Sequence, residues 1–235
     1  MRGDLWNDGR VPTPTPATPA DPLSLDDLVA RVLRLESPGT RAIVGITGSP
    51  GAGKTTLAKR LVAALNESAE VPVAVYLPMD GFHLANSTLD RLGIRDRKGA
   101  IETFDGWGFV ALLERILAER GHPVYAPSFE RTVDEGIAGE VAIAESARIV
   151  IAEGNYLLVD REPWNRIPEL LVETWFCEAG ADERLGRLVD RHTRHGRSPD
   201  DARAWAESVD GANALLIEPT KARADLVVSG AAVSE

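Results

Sequence analysis

The sequence predicts an α/β domain with a mainly parallel central sheet and helices on both faces. Three observations carry this. Short, continuous apolar runs recur at Ala42 to Ile46, Val71 to Met79, Ile149 to Ala152, Val172 to Cys177 and Leu226 to Val228. Runs this uniformly apolar suit strands buried on both faces, which is where parallel strands sit. Amphipathic helical segments separate most of the runs, and alternating strands and helices build parallel sheets. The first run also leads directly into a glycine-rich loop and then a helix-forming stretch from Lys54 to about Leu65, a strand–loop–helix unit. In sheets of this kind ligands bind at the carboxyl ends of the strands.

Taken in order, residues 1–22 contain Val11-Pro12-Thr13-Pro14-Thr15-Pro16-Ala17-Thr18-Pro19. The prolines lack amide donors and the side chains offer little to bury, so a disordered leader is expected. The folded domain is expected over 23–235. It starts with a helix announced by Ser24 as N-cap, Asp26 and Asp27 in the first turn, and apolar residues at helical spacing through Leu33. A chain of 235 residues suits one domain. Its net charge of −10 disfavours nucleic acid and anionic membrane surfaces as partners and favours a small neutral acceptor. The single cysteine, Cys177, lies in an apolar run and reads as core, with no disulfide. No stretch is long and apolar enough for a signal peptide or membrane span, so a cytoplasmic location is expected. A homo-oligomer is compatible with the sequence, which does not fix its assembly.

The glycine-rich loop is Gly48-Ser49-Pro50-Gly51-Ala52-Gly53-Lys54-Thr55, followed by Thr56. It fits G-x-x-x-x-G-K-S/T in the required strand-to-helix context, the signature of a loop that cradles a nucleoside triphosphate such as ATP. Glycines let successive backbone N–H groups turn toward phosphates. Lys54 would reach the terminal phosphates, and the Thr55 hydroxyl would ligate Mg²⁺.

Two strand ends carry further chemistry. After Val73 to Met79 comes Asp80-Gly81-Phe82-His83, and after Arg148 to Ala152 comes Glu153-Gly154-Asn155-Tyr156. Asp80 suits a proton acceptor for an attacking hydroxyl, or an Asx-turn or helix cap. Glu153 suits a Mg²⁺ ligand, direct or through water, or a surface carboxylate.

Together these residues resemble the phosphoribulokinase, uridine kinase and type I pantothenate kinase superfamily of P-loop kinases, over about Ile43 to Val228. Met79-Asp80-Gly81-Phe82 resembles the family's catalytic aspartate segment. Arg97-Lys98-Gly99-Ala100-Ile101-Glu102-Thr103-Phe104-Asp105 resembles the R-K-G-x-P-E-S-Y-D stretch of pantothenate kinases. Glu153-Gly154 resembles the E-G that ends the Mg²⁺-side strand, and Ile217-Glu218-Pro219-Thr220-Lys221 through Val228 resembles the last loop and strand of uridine kinases. The resemblance implies a three-layer P-loop NTPase fold, phosphorylation of a small-molecule hydroxyl by Mg²⁺-ATP, and Asp80 as the general base. The combined segments are most similar to a bacterial nucleoside or nucleotide kinase-like branch with sugar-kinase members.

Between Glu183 and Arg203 the acidic chain becomes locally basic, and this run resembles the family's lid. Arg184, Arg187, Arg191 and Arg194 recur at spacings of three and four, close to one helical face, and Gly196 is placed to end or hinge the helix. Arginine's permanently charged fork suits phosphate oxygens, with Arg187 and Arg191 as the phosphate contacts. The alternative is a solvated helix whose arginines, about half of them, pair with Asp182, Asp190 and Asp200.

His83, Arg97, Lys98, Arg131, Tyr156 and Asn213 are the candidate polar contacts to a hydroxylated acceptor, with Phe82, Phe104 and Phe129 as walls. Trp107, Trp164, Trp175 and Trp205 read as packing. The chain lacks the Asp-His pair of uridine kinases, and Arg131 stands where pantothenate kinases place a histidine. Two alternatives to a kinase are a noncatalytic nucleotide-binding regulator and a GTPase switch. The guanine-reading N/T-K-x-D pattern is broken in Thr220-Lys221-Ala222-Arg223.

Overall fold

A parallel sheet forms the centre of the computed structural model, which describes residues 23–67 and 69–230. The leader expected at 1–22 lies outside the described residues. Among the described residues the sheet has five strands: β1 (Ala42–Thr47), β2 (Ala74–Pro78), β5 (Ile149–Glu153), β6 (Glu173–Glu178) and β7 (Leu226–Ser229), in the order β2-β5-β1-β6-β7. Every pairing is parallel, with Ile46 opposite Glu153 and Glu153 opposite Pro78. The carboxyl ends of β1, β2 and β5 therefore finish level with one another.

The apolar strands bury both faces because alternate residues feed different cores. Val44, Ile46, Ile149, Ile151 and Trp175 pack with α1 (Leu25–Leu35) and α2 (Lys54–Asn66) on one side. Ile43, Val150, Ala152 and Phe176 pack with α4 (Gly106–Ala118) on the other. Helices on both faces make the three layers expected from the alternation. Helix α1 begins where its cap predicts: the Ser24 hydroxyl accepts from the Asp27 amide at 3.2 Å, and Asp27 accepts back from the Ser24 amide at 3.0 Å. At the opposite end of the sheet from the loop, the buried Arg41 guanidinium donates to the carbonyls of Ile116 and Glu119 at the end of α4 and to those of Ala144 and Ala147. One cation thus satisfies orphan helix carbonyls and complements their negative dipole end.

The fold adds an antiparallel hairpin that the periodicity does not announce, β3 (Val124–Glu130) with β4 (Glu135–Ile143). Pro127 interrupts the first run, and β4 is exposed along most of its length, so neither shows a buried strand's apolar pattern. The hairpin packs on the 3₁₀ turn Met79–Phe82 that follows β2, and it brings Phe129 and Arg131 toward the carboxyl ends of the sheet. After α3 (Asn86–Leu92), a short 3₁₀ turn carries Arg95 to Arg97. After β6 come α5 (Ala181–Arg194), α6 (Pro199–Trp205), a π-helical turn Ala206–Asp210 and α7 (Gly211–Ile217). Among the described residues no helix is long and apolar enough to cross a membrane.

Candidate active site

The loop after β1 is built for close backbone approach. Gly48, Gly51 and Gly53 take positive φ of 138°, 79° and 95°, and the loop hands over to α2 at Lys54. A Cβ on Gly48 would lie 2.2 Å from the Cys177 carbonyl oxygen at the end of β6. Gly48→Ala therefore meets both a forbidden dihedral and a backbone clash, and the conformation alone costs about 1–3 kcal/mol. It is expected to lower the thermal unfolding midpoint and weaken nucleotide binding, and an unchanged midpoint would refute this account of the loop.

Lys54 is buried, and its Nζ donates to the Ser49 carbonyl at 3.0 Å. Burial lowers the Lys54 pKa, opposed by the nearby charge of Glu153. Glu153, at the end of β5, is also buried, and burial raises its pKa while Lys54 acts against that rise. Two partly desolvated opposite charges at the strand ends make a site whose electrostatics respond strongly to an incoming polyanion or cation. Glu153 Oε2 accepts from the Thr55 hydroxyl at 3.1 Å and from Tyr76 at 2.8 Å. Tyr76 on β2 thus aims the carboxylate, a role hidden in the sequence because it reads there only as part of an apolar strand.

Asp80 stands just beyond β2, on the 3₁₀ turn, with its side chain 35% exposed and 3.5 Å from Arg131 Nη2. His83 Nδ1 lies 2.7 Å from the Asp80 backbone carbonyl. A carbonyl only accepts, so Nδ1 carries the hydrogen. Burial lowers the His83 pKa, which favours the neutral ring and leaves Nε2 as an acceptor on a side chain lining the cleft. The ring lies tilted against Phe104 and Phe129, with centroids at 4.0 and 4.6 Å and interplanar angles of 40° and 43°.

A cleft of about 790 Å³ joins these groups. Of the loop residues, Pro50, Gly51, Gly53, Lys54, Thr55 and Thr56 line it, while Ser49 is buried beneath and ties its hydroxyl to Glu218 at 2.5 Å. Asp80, His83, Lys98, Phe104, Phe129, Arg131, Glu153 and Asn213 line it as well. Opposite stand Arg187, Arg191 and Arg194 of α5. Arg187 donates to the Gly51 carbonyl at 3.2 Å, so α5 touches the glycine-rich loop. Gly196, with φ of +95°, follows the C-cap His195 and ends the helix in the left-handed conformation.

Four sequence expectations need correction. Tyr156 does not line the cleft: its ring is buried against Phe104 and Trp164, and its hydroxyl donates to the Gly99 carbonyl at 2.6 Å. Arg97 points away and pairs with Glu102, while its neighbour Arg95 lines the cleft instead. Phe82 packs edge-on against Phe109, outside the cleft lining. Trp205 is not simply packing, since it lines the cleft with the Arg197 guanidinium 3.9 Å above its ring. The lid arginines also choose other acids than expected. Arg187 pairs with Glu183 one turn back, Arg191 faces Asp210 at 3.7 Å, and Arg184 turns to Glu218 at 3.8 Å, outside the cleft lining. These partners come from one helical turn and from tertiary contact, which sequence proximity alone does not rank. His192 and Asp210, 2.8 Å apart, were not singled out by any motif.

Cys177 is core, as its run implies: it is buried, and its thiol donates to the Ala52 carbonyl at 3.2 Å. Burial pushes its pKa up to about 11. The native protein should therefore resist a disulfide thiol reagent at pH 8 and release one equivalent only on unfolding, because the thiolate is the reactive form. Rapid native labelling would contradict this placement.

A parallel sheet ending in a G-x-x-x-x-G-K-S/T loop, with an acidic residue on a neighbouring strand and an arginine-bearing helix across the cleft, defines a P-loop phosphotransferase. The chain belongs to the phosphoribulokinase / uridine kinase family, which matches residues 43–234. It is a kinase of small molecules by that membership. It is 32% identical to the protein YggC of Escherichia coli (strain K12), over 83% of this chain and 81% of that one. It is 28% identical to a pantothenate kinase of Shewanella sp. (strain ANA-3), over 79% of this chain and 67% of that one. Among solved structures, a "putative fructose transport system kinase" from Silicibacter sp. TM1040 superposes with a TM-score of 0.79 at 38% identity, covering 87% of this chain and 98% of the other.

Proposed function

We propose that this protein transfers the γ-phosphoryl group of Mg²⁺-ATP to a hydroxyl of a small polar acceptor of the nucleoside, sugar or pantothenate-like class. The observation that carries the proposal is the cleft onto which Lys54, Thr55, Glu153, Asp80 and Arg187, Arg191 and Arg194 of α5 converge. In this reading the amides of the loop and Lys54 hold the triphosphate. Arg187 and Arg191 face it from the lid and offset charge that develops on the transferring group. Asp80 orients the acceptor hydroxyl and takes its proton as the new O–P bond forms, with ADP leaving.

The donor set fits a hard cation. Thr55 and Glu153 present oxygen atoms 3.1 Å apart, the ligand type Mg²⁺ prefers. Among the described residues no group of three or more His, Cys, Asp or Glu gathers as a metal cage. Mg²⁺ is commonly held by one or two protein oxygens together with phosphate oxygens and water. When bound, Mg²⁺ would neutralise phosphate charge.

The acceptor end pairs a His83 held against aromatic rings, its neutral form favoured by burial, with the cations Lys98 and Arg131. Aromatic walls and mixed donors suit a polyhydroxylated molecule. The test is an ADP-release screen of purified protein with Mg²⁺-ATP against nucleosides, pentoses, hexoses and pantothenate, with Lys54→Ala and Asp80→Asn as controls. One acceptor that raises ADP release and gains the mass of a phosphoryl group supports the proposal. Intact ATP binding with no transfer to any member of the panel counts against it.

A further inference from the structure

A buried carboxylate outside every sequence motif contacts the lid helix at the wall of the cleft. Asp210 is 7% exposed and closes the π-helical turn between α6 and α7. Its Oδ2 accepts from His192 Nε2 at 2.8 Å, and its Oδ1 lies 3.7 Å from Arg191 Nη2. Both partners belong to α5. A buried carboxylate is costly unless partnered, so this contact constrains where α5 can sit. A π-turn inside a helical stretch is uncommon and recurs at functional positions.

The guanidinium that Asp210 faces is the one central to the cleft. Arg191 lies within electrostatic reach of Asp80, Glu153 and Arg131 as well as Asp210. The same segment is tied to the acceptor side. Three residues beyond Asp210, Asn213 Nδ2 donates to the Gly99 carbonyl at 3.0 Å, next to Lys98. Asp210 thus joins a segment tied to the acceptor loop to an arginine that lines the cleft.

We infer that Asp210 is a positioning residue: by its charge it sets the Arg191 guanidinium against the terminal phosphate, so that the lid distinguishes triphosphate from diphosphate. This rests on the proposed role of Arg191 as a phosphate contact. Asp210 touches no reacting atom in this scheme and acts only through Arg191 and the His192 that braces the same helix.

The test compares affinities for ADP and for the nonhydrolysable adenylyl imidodiphosphate, by calorimetry with Mg²⁺, in the wild type, Arg191→Ala, Asp210→Asn and the double variant. Arg191→Ala should lose about tenfold in affinity for the triphosphate analogue and little for ADP. Asp210→Asn should show the same selective loss, the double variant should lose no more than either single one, and Asp210→Glu should restore part of the preference. A merely structural role would weaken both nucleotides alike. If Arg191→Ala is selective and Asp210→Asn is not, the inference falls while the proposed function stands. If Arg191→Ala itself is unselective, the phosphate-contact role and the inference fall together. Hydrogen exchange on the wild type needs no variant to fold. Stronger protection of residues 206–217 with the triphosphate analogue than with ADP supports the inference, and equal protection overturns it.

Discussion

Asp80→Asn is expected to bind ATP about as well as the wild type and to transfer phosphate about 10²–10⁴-fold more slowly, the usual worth of a positioned general base. The substitution keeps the side chain's shape and removes its basicity. Asp80 sits on the 3₁₀ turn that follows β2, within electrostatic reach of the buried Lys54 and Glu153; losing a negative charge there does not cost affinity for a polyanion, so nucleotide binding should survive. Removing the carboxylate also leaves Arg131 without its 3.5 Å partner, and the acceptor KM is expected to change as well. The check is steady-state kcat with an acceptor from the screen, alongside calorimetric ATP binding. Near-normal turnover would remove Asp80 from its role.

Lys54→Ala is expected to reduce transfer by about 10²–10³-fold or more, the loss typical of one preorganised charge-stabilising donor. The cause is twofold. Lys54 is 6% exposed, so its charge acts through a poorly screening medium rather than water. It is also the chief charge holding down the pKa of Glu153, which burial already pushes up. Without it the Glu153 carboxyl should shift further toward the protonated form, leaving a poorer partner for a cation. The effect should therefore appear as a raised Mg²⁺ requirement as well as a lower rate, measured by titrating Mg²⁺ at saturating ATP. A variant with wild-type Mg²⁺ dependence would separate Lys54 from Glu153.

The sequence alone settled what rests on local chemistry. Short continuous apolar runs that alternate with helical segments read as strands buried on both faces, so β1, β5 and β6 were legible. The loop was legible because Gly48, Gly51 and Gly53 occupy the backbone positions that need positive φ. The Ser24 cap and the break at Gly196 were legible for similar reasons of local geometry. What the tertiary structure alone decided is which side chains meet. The hairpin β3–β4 lacks a buried period because it lies largely on the surface, yet it carries Arg131 to Asp80. Tyr156 and Arg97 sit in a stretch that chemistry nominates for the acceptor, but one is taken into the core and the other paired outside the cleft. Tyr76, Trp205 and Asp210 reach the site or its support from elements whose sequence shows only packing or charge. Periodicity reports which face of an element is buried. It cannot report which distant element covers that face, and the contacts that aim the chemistry are made there.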